Sequence, residues 1–183
     1  SGFSVTQNDG FKTVTTTRNA FDKITTLQDP GGTINYTYYG NGNLKTANYG
    51  GVTVSVEQDG WGRKTKLTDP SAGIYTYEYN GFGETTKETT PKVETVYTYD
   101  GYGKLLSKTI TGDQTDMTML YTYHPATKQL TQLALANADG NNTTYTYAYD
   151  LYNRPATVVE DGTYARFTKW FTYDAFGRID TEE

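Results

Sequence analysis

The sequence predicts an all-β protein: an array of about eight antiparallel β-hairpin repeats forming one elongated, curved or spiralling sheet. Three observations predict it. A short block reading aromatic-x-Tyr-Asp-x-aromatic-Gly-Arg/Lys recurs eight times across the 183 residues. The residues entering each block alternate at period two, the mark of a strand with two unlike faces. Aliphatic residues are scarce beside 18 Tyr and 7 Phe, so apolar burial has to come from rings, which carry a large area each and keep a polar handle on Tyr.

The block is clearest in Tyr77–Glu84 (YEYNGFGE), Tyr97–Lys104 (YTYDGYGK), Tyr147–Arg154 (YAYDLYNR) and Phe171–Arg178 (FTYDAFGR). Weaker copies are Tyr36–Asn43, Val56–Arg63, Tyr121–Lys128 and a first one ending at Asn19–Lys23. The Asp slot is filled by Asn19, Tyr39, Asp59, Asn80, Asp100, His124, Asp150 and Asp174, with gaps of 20, 20, 21, 20, 24, 26 and 24 residues. A period in this range marks stacked repeats, each needing its neighbours to cover a face.

Taken in order, Phe3–Val5 reads as an edge strand. Tyr36/Tyr38, Val52/Val54/Val56, Tyr75/Tyr77/Tyr79, Tyr97/Tyr99, Tyr121/Tyr123, Tyr145/Tyr147/Tyr149 and Phe171/Tyr173 then place rings or β-branched chains on one face of successive strands. Three residues past the Asp slot stand Asp22, Gly42, Gly62, Gly83, Gly103, Asn153 and Gly177. All belong to the types that tolerate the positive φ of a tight hairpin. The Asp or Asn before them can bond back to the turn backbone. A long side chain follows (Lys23, Arg63, Glu84, Lys104, Arg154, Arg178), and a Thr- and Lys-rich second strand begins after it. The links, such as Asp29-Pro30-Gly31-Gly32 and Asp161-Gly162, carry turn chemistry of their own. No helix and no linker is predicted, so residues 1–183 read as a single array. The residues assigned to the repeat motif itself are Tyr38, Gly42, Asp59, Trp61, Gly62, Arg63, Tyr79, Gly83, Tyr99, Asp100, Gly103, Tyr149, Asp150, Arg154, Tyr173, Asp174, Gly177 and Arg178.

Composition narrows function. Cysteine is absent, which removes disulfides and thiolate metal sites. A net charge of −5 without a basic cluster argues against nucleic acid, whose binding needs phosphates to be neutralised. No apolar run approaches the roughly 20 residues that cross a bilayer as a helix, so no membrane insertion is expected. The ends, at Ser1-Gly2-Phe3 and Glu182-Glu183, read as cuts inside a longer array whose targeting signal lies elsewhere.

Tyr97–Leu105 (YTYDGYGKL) and Phe171–Ile179 (FTYDAFGRI) resemble the Y-x-Y-D-x-x-G-R-L motif of the Rhs/YD-repeat family, and the resemblance recurs in register over essentially the whole chain. It implies a long antiparallel sheet that spirals and, in complete proteins, curls into a hollow shell. In bacterial members the shell encloses a toxic C-terminal region; in animal teneurins a similar shell supports adhesion. The resemblance therefore implies a secreted or cell-surface wall segment. Its partners would be other repeats of the same parent chain and an enclosed passenger polypeptide, and no cofactor is implied. Eight repeats are fewer than such shells hold, so the chain would be an arc. Some shells end in a self-cleaving segment with a D-P-x-G signature. Asp29-Pro30-Gly31-Gly32 looks similar but lies near the N-terminus between two repeats, with Thr33 where an apolar residue would stand, and reads as a turn.

No chemistry stands out beyond this. The single histidine, His124, occupies an Asp slot and reads as a turn residue. The recurring Gly-x-Gly pairs lack the third glycine and the helix of a dinucleotide loop. Asp139-Gly140-Asn141-Asn142 does not fit the spacing of a calcium loop. None of the 21 carboxylates forms a recognisable acid/base couple. The chain is therefore read as non-catalytic.

The turn rings Phe21, Trp61, Phe82, Tyr102, Tyr152 and Phe176 are read most simply as packing hairpin against hairpin. Trp170 breaks the alternation beside Phe171 and is the residue expected to be exposed. The second functional reading is a carbohydrate-binding or adhesive module that stacks a glycan on exposed rings, with Trp61 and Trp170 as candidates. Open strands at the two ends would favour edge-to-edge self-association of the fragment.

Overall fold

A computed structural model describes residues 2–183. It contains strands and turns only, arranged in two compact units, Ser1–Glu78 and Tyr79–Glu183. The first unit holds β1 (Phe3–Asn8), β2 (Thr13–Arg18), β3 (Ile24–Asp29), β4 (Gly32–Tyr38), β5 (Leu44–Tyr49), β6 (Val52–Gln58), β7 (Lys64–Asp69) and β8 (Gly73–Tyr79), whose last residue marks the division. The second holds β9 (Thr85–Thr89), β10 (Glu94–Tyr99), β11 (Leu105–Thr111), β12 (Met117–Tyr123), β13 (Leu130–Asn137), β14 (Thr143–Tyr149), β15 (Pro155–Gly162), β16 (Arg166–Tyr173) and β17 (Ile179–Glu182).

Within each unit the strands run as an antiparallel meander in which each pairs with its neighbours in sequence. The repeat motif falls on alternate turns: Asn19–Lys23 joins β2 to β3, and the later copies join β4 to β5 and so on to β16 and β17. The other connections are the predicted links; Pro30-Gly31, for example, is a two-residue loop closed by the Asp29↔Gly32 pair.

In the seven hairpins β2–β3, β4–β5, β6–β7, β10–β11, β12–β13, β14–β15 and β16–β17 the register slips by one residue just beyond the turn. Thr98 pairs with Ser107 but Tyr99 with Leu105, leaving Leu106 as the extra residue. Such a bulge bends the strand and strengthens its twist.

Pleating separates two faces. The tyrosines at alternate positions of β4, β8, β10, β12 and β14 are half-buried on one face. The opposite face is exposed and carries cross-strand hydroxyl pairs: Ser4–Thr17 at 2.8 Å, and Thr37–Thr46, Thr98–Ser107 and Thr172–Thr181 at 2.6 Å. Among the described residues no hydrophobic side chain is buried, and Thr95 is the one buried polar residue. Rings are covered by adjacent strands rather than by a second layer.

Candidate functional site: the row of motif turns and a cleft between its first two

Each motif turn is organised by the residue in its Asp slot. Asp100 N donates to Lys104 O at 2.8 Å and Gly103 N donates to Asp100 O at 3.1 Å, a three-residue loop closed by a left-handed residue. Gly103 has φ +82, and Asp22, Gly42, Gly62, Gly83, Asn153 and Gly177 share the conformation. Lys128, which follows a one-residue insertion, supplies the eighth with φ +61.

Asp100 Oδ1 accepts from Tyr102 N and Lys104 N at 2.8 and 2.9 Å. Asp59, Asp150 and Asp174 repeat this, as do the amide oxygens of Asn19 and Asn80. Where the slot is Asp and a guanidinium follows, Nε of Arg63, Arg154 or Arg178 donates to the remaining oxygen at 2.7, 2.7 and 2.8 Å. Asn80 reverses the polarity: its Nδ2 donates to the Glu84 carboxylate at 2.5 Å, which explains why an acid occupies the cationic slot there. His124 Nδ1 takes over the acceptor role, receiving Thr127 N at 3.0 Å.

These bonds set the charge state of the turns. The backbone N–H of Lys104 holds Asp100 below the usual carboxylate range, and that of Arg178 does the same for Asp174. At Asp59 and Asp150 desolvation pushes upward but is outweighed by the backbone and guanidinium bonds from Arg63 and Arg154, so both also sit low.

The last tyrosine before each turn has a second role that sequence reasoning missed. In five of the eight turns a tyrosine at this position donates its hydroxyl to the first carbonyl of the preceding hairpin's second strand. The pairs are Tyr38 to Ile24 (2.6 Å), Tyr99 to Thr85, Tyr149 to Leu130 and Tyr173 to Pro155 (2.8 Å each), and Tyr123 to Leu105 (2.9 Å). Cations from the earlier turn cap the same rings: Lys104 Nζ lies 4.6 Å from the Tyr123 ring centre, and the Arg154 guanidinium 4.0 Å from that of Tyr173. One phenol thus binds two hairpins together by a hydrogen bond and a cation–π contact.

The turn rings are not where the simplest sequence reading put them. Phe21, Trp61, Phe82, Tyr102, Tyr152 and Phe176 are 78–91% exposed. The hairpins pack through the tyrosine face and the hydroxyl staples, so the rings are left standing at the turns. Trp170 is half exposed on the hydroxyl face, opposite Thr157, with its backbone paired to Glu183. It lies in β16 of the second unit, whereas Trp61 stands at a motif turn of the first.

Between the first two motif turns lies a cleft of about 460 Å³ lined by Asn19, Phe21, Lys23, Thr25, Tyr36–Tyr39 and Gly40–Gly42. Among the described residues no group of three or more His, Asp or Glu side chains converges as a metal site, and no helix is long and apolar enough to cross a membrane.

The architecture belongs to the class of antiparallel hairpin-repeat sheets built without a second packing layer. No family model matches the chain, and no curated protein matches it. Among solved structures it is similar in fold to the crystal structure of TcdB2-TccC3-Cdc42 (TM-score 0.72, 19% identity, covering 89% of this chain and 10% of that one). It is also similar to TcdB2-TccC3 without its hypervariable C-terminal region (0.69, 20%, 89% and 10%) and to the Photorhabdus luminescens Tc holotoxin pore (0.67, 20%, 88% and 10%). The chain spans about a tenth of the length of the chains it matches.

Proposed function

We propose that the chain is a non-catalytic wall segment of the Rhs/YD-repeat kind, forming part of a β-sheet shell in a large protein that acts outside the cell and encloses a C-terminal passenger. The observation that carries this reading is the use of the motif residues. The Asp, the Arg or Lys, the left-handed residue and the last tyrosine all bond within or between hairpins, and none converges on a catalytic group. The fold likeness to toxin-complex chains and the recurring motif support the same reading. Electron microscopy of the full parent polypeptide tests it. A hollow body with this segment in its wall, and a passenger resistant to protease until the wall is cut, is the expected result. A parent in which the segment projects as a free arm would refute it.

A further inference from the structure

Asn-Gly occurs twice in the chain, at Asn41-Gly42 and Asn80-Gly81. With no side chain on the second residue, its backbone nitrogen can approach the asparagine amide closely. The two sites differ in what surrounds that amide. Gly42 N is spent on the Tyr39 carbonyl at 2.9 Å, whereas Gly81 N has no hydrogen-bond partner among the described residues.

Around Asn80 the motif turn supplies three further groups. Phe82 N and Glu84 N both donate to Asn80 Oδ1 at 3.0 Å, the arrangement that stabilises charge developing on a carbonyl oxygen under attack. The Glu84 carboxylate accepts from Nδ2 at 2.5 Å, so an acid–base group touches the nitrogen that would leave. Both side chains are half-buried. The other motif turns lack this combination. Asn19 has the same pair of N–H donors, but Ala20 crowds the attacking nitrogen and Lys23 stands in place of the acid. Asp59 and Asp100 also precede glycine, but each is held as a carboxylate, a poor electrophile.

We propose that Asn80 is a self-modifying residue, whose amide the folded turn converts to a carboxylate. Gly81 N bonds to Asn80 Cγ and releases its proton to solvent, while the carbonyl π pair moves onto Oδ1 between the N–H groups of Phe82 and Glu84. Re-forming the carbonyl breaks the Cγ–Nδ2 bond. The nitrogen keeps the bonding pair, takes a proton through the Glu84 carboxyl and departs as ammonia. Water then opens the cyclic imide at either carbonyl, leaving aspartate or isoaspartate at position 80. No oxidant or cofactor enters. Conversion sets a second carboxylate against Glu84, whose charge already reaches the Tyr99 ring that staples to Thr85. The step runs one way and loosens a hairpin junction, so the turn keeps time. The inference does not rest on the wall reading, because the chemistry needs only the folded turn.

The test is incubation of the intact chain in neutral buffer made with heavy-oxygen water, folded and in urea, followed by peptide mapping with mass spectrometry. The urea arm gives the rate of each dipeptide without its turn. In the folded chain Asn80 should convert at least tenfold faster than Asn41, and faster than it does in urea, with ammonia released in step. Glu84→Gln, which keeps an acceptor for Nδ2 but no acid–base group, should slow Asn80 about tenfold. Gly81→Ala adds a methyl group that points into open space, so the far-ultraviolet spectrum should stay unchanged while conversion slows by a similar factor. Three results would overturn the proposal: Asn41 converting as fast as Asn80, Asn80 reacting no faster folded than in urea, or both variants matching the unaltered chain.

Discussion

Removing a single oxygen from a staple tyrosine separates hairpin-to-hairpin bonding from hairpin formation. Tyr99→Phe, Tyr123→Phe and Tyr149→Phe keep the half-buried ring but delete hydroxyl bonds of 2.8, 2.9 and 2.8 Å. A net intramolecular hydrogen bond contributes about 0.5–1.5 kcal/mol, and a carbonyl left without its partner can cost more. The acceptors here are half-buried and water can reach them, so about 1 kcal/mol per staple is the working value. The three staples share no partner and successive ones lie about two strand spacings, roughly 10 Å, apart. Their effects should therefore add, to about 3 kcal/mol in the triple variant. That is a large fraction of the roughly 5–15 kcal/mol typical of a folded domain. Urea denaturation at constant m-value measures it, with Tyr102→Phe as control, since that ring is 85% exposed and should change stability by less than about 0.5 kcal/mol. Staple variants indistinguishable from the control, or a triple variant no weaker than a single one, would refute the idea that the phenols bind the hairpins together.

Three more outcomes follow from the geometry. Asp59, Asp100, Asp150 and Asp174 have folded pKa values below the unfolded value of about 3.9, so their stabilisation is full above that pH and is lost as pH falls through the lower folded values. The melting temperature should stay level from about pH 7 to about 5 and drop below about 4; a flat profile down to about pH 2 would contradict the turn assignment. Gly103→Ala must hold a methyl group at φ +82 against Glu84 Oε1 and should lose about 1–2 kcal/mol, whereas Gly101→Ala points into open space and should shift the urea midpoint little. Among the described residues β1 pairs with β2 alone and is exposed throughout, so sedimentation velocity should show mass rising with concentration and Val5→Lys should suppress it.

Much of the fold is legible because its signals are local. Period-two tyrosines set strand phase, and the slot three residues past Asp names the left-handed positions directly. What escapes has causes of two kinds. Lys128 was hidden by a one-residue insertion, and the bulge residues Thr25, Lys45 and Leu106 leave no mark because residue counting absorbs them. The staples join residues 14 to 19 apart and depend on lateral placement that the motif does not encode. The exposed rings were read as packing because recurrence at one position suits an interface and a free turn equally well. The cleft between the first two motif turns did have a signal: Tyr39 fills the Asp slot there and Asn41 the position where six other turns carry a ring, a departure visible only once the turn's hydrogen bonds give each slot a meaning.

The staples also have a direction. Each of the five staple phenols lies later in the chain than the carbonyl it binds, so its hairpin is received by one that already exists. A polypeptide synthesised from its N-terminus, or threaded in that order across a membrane, can dock each stapled hairpin on one already made. Assembly order is thereby written into the motif, much as a zipper closes from the end where its slider starts.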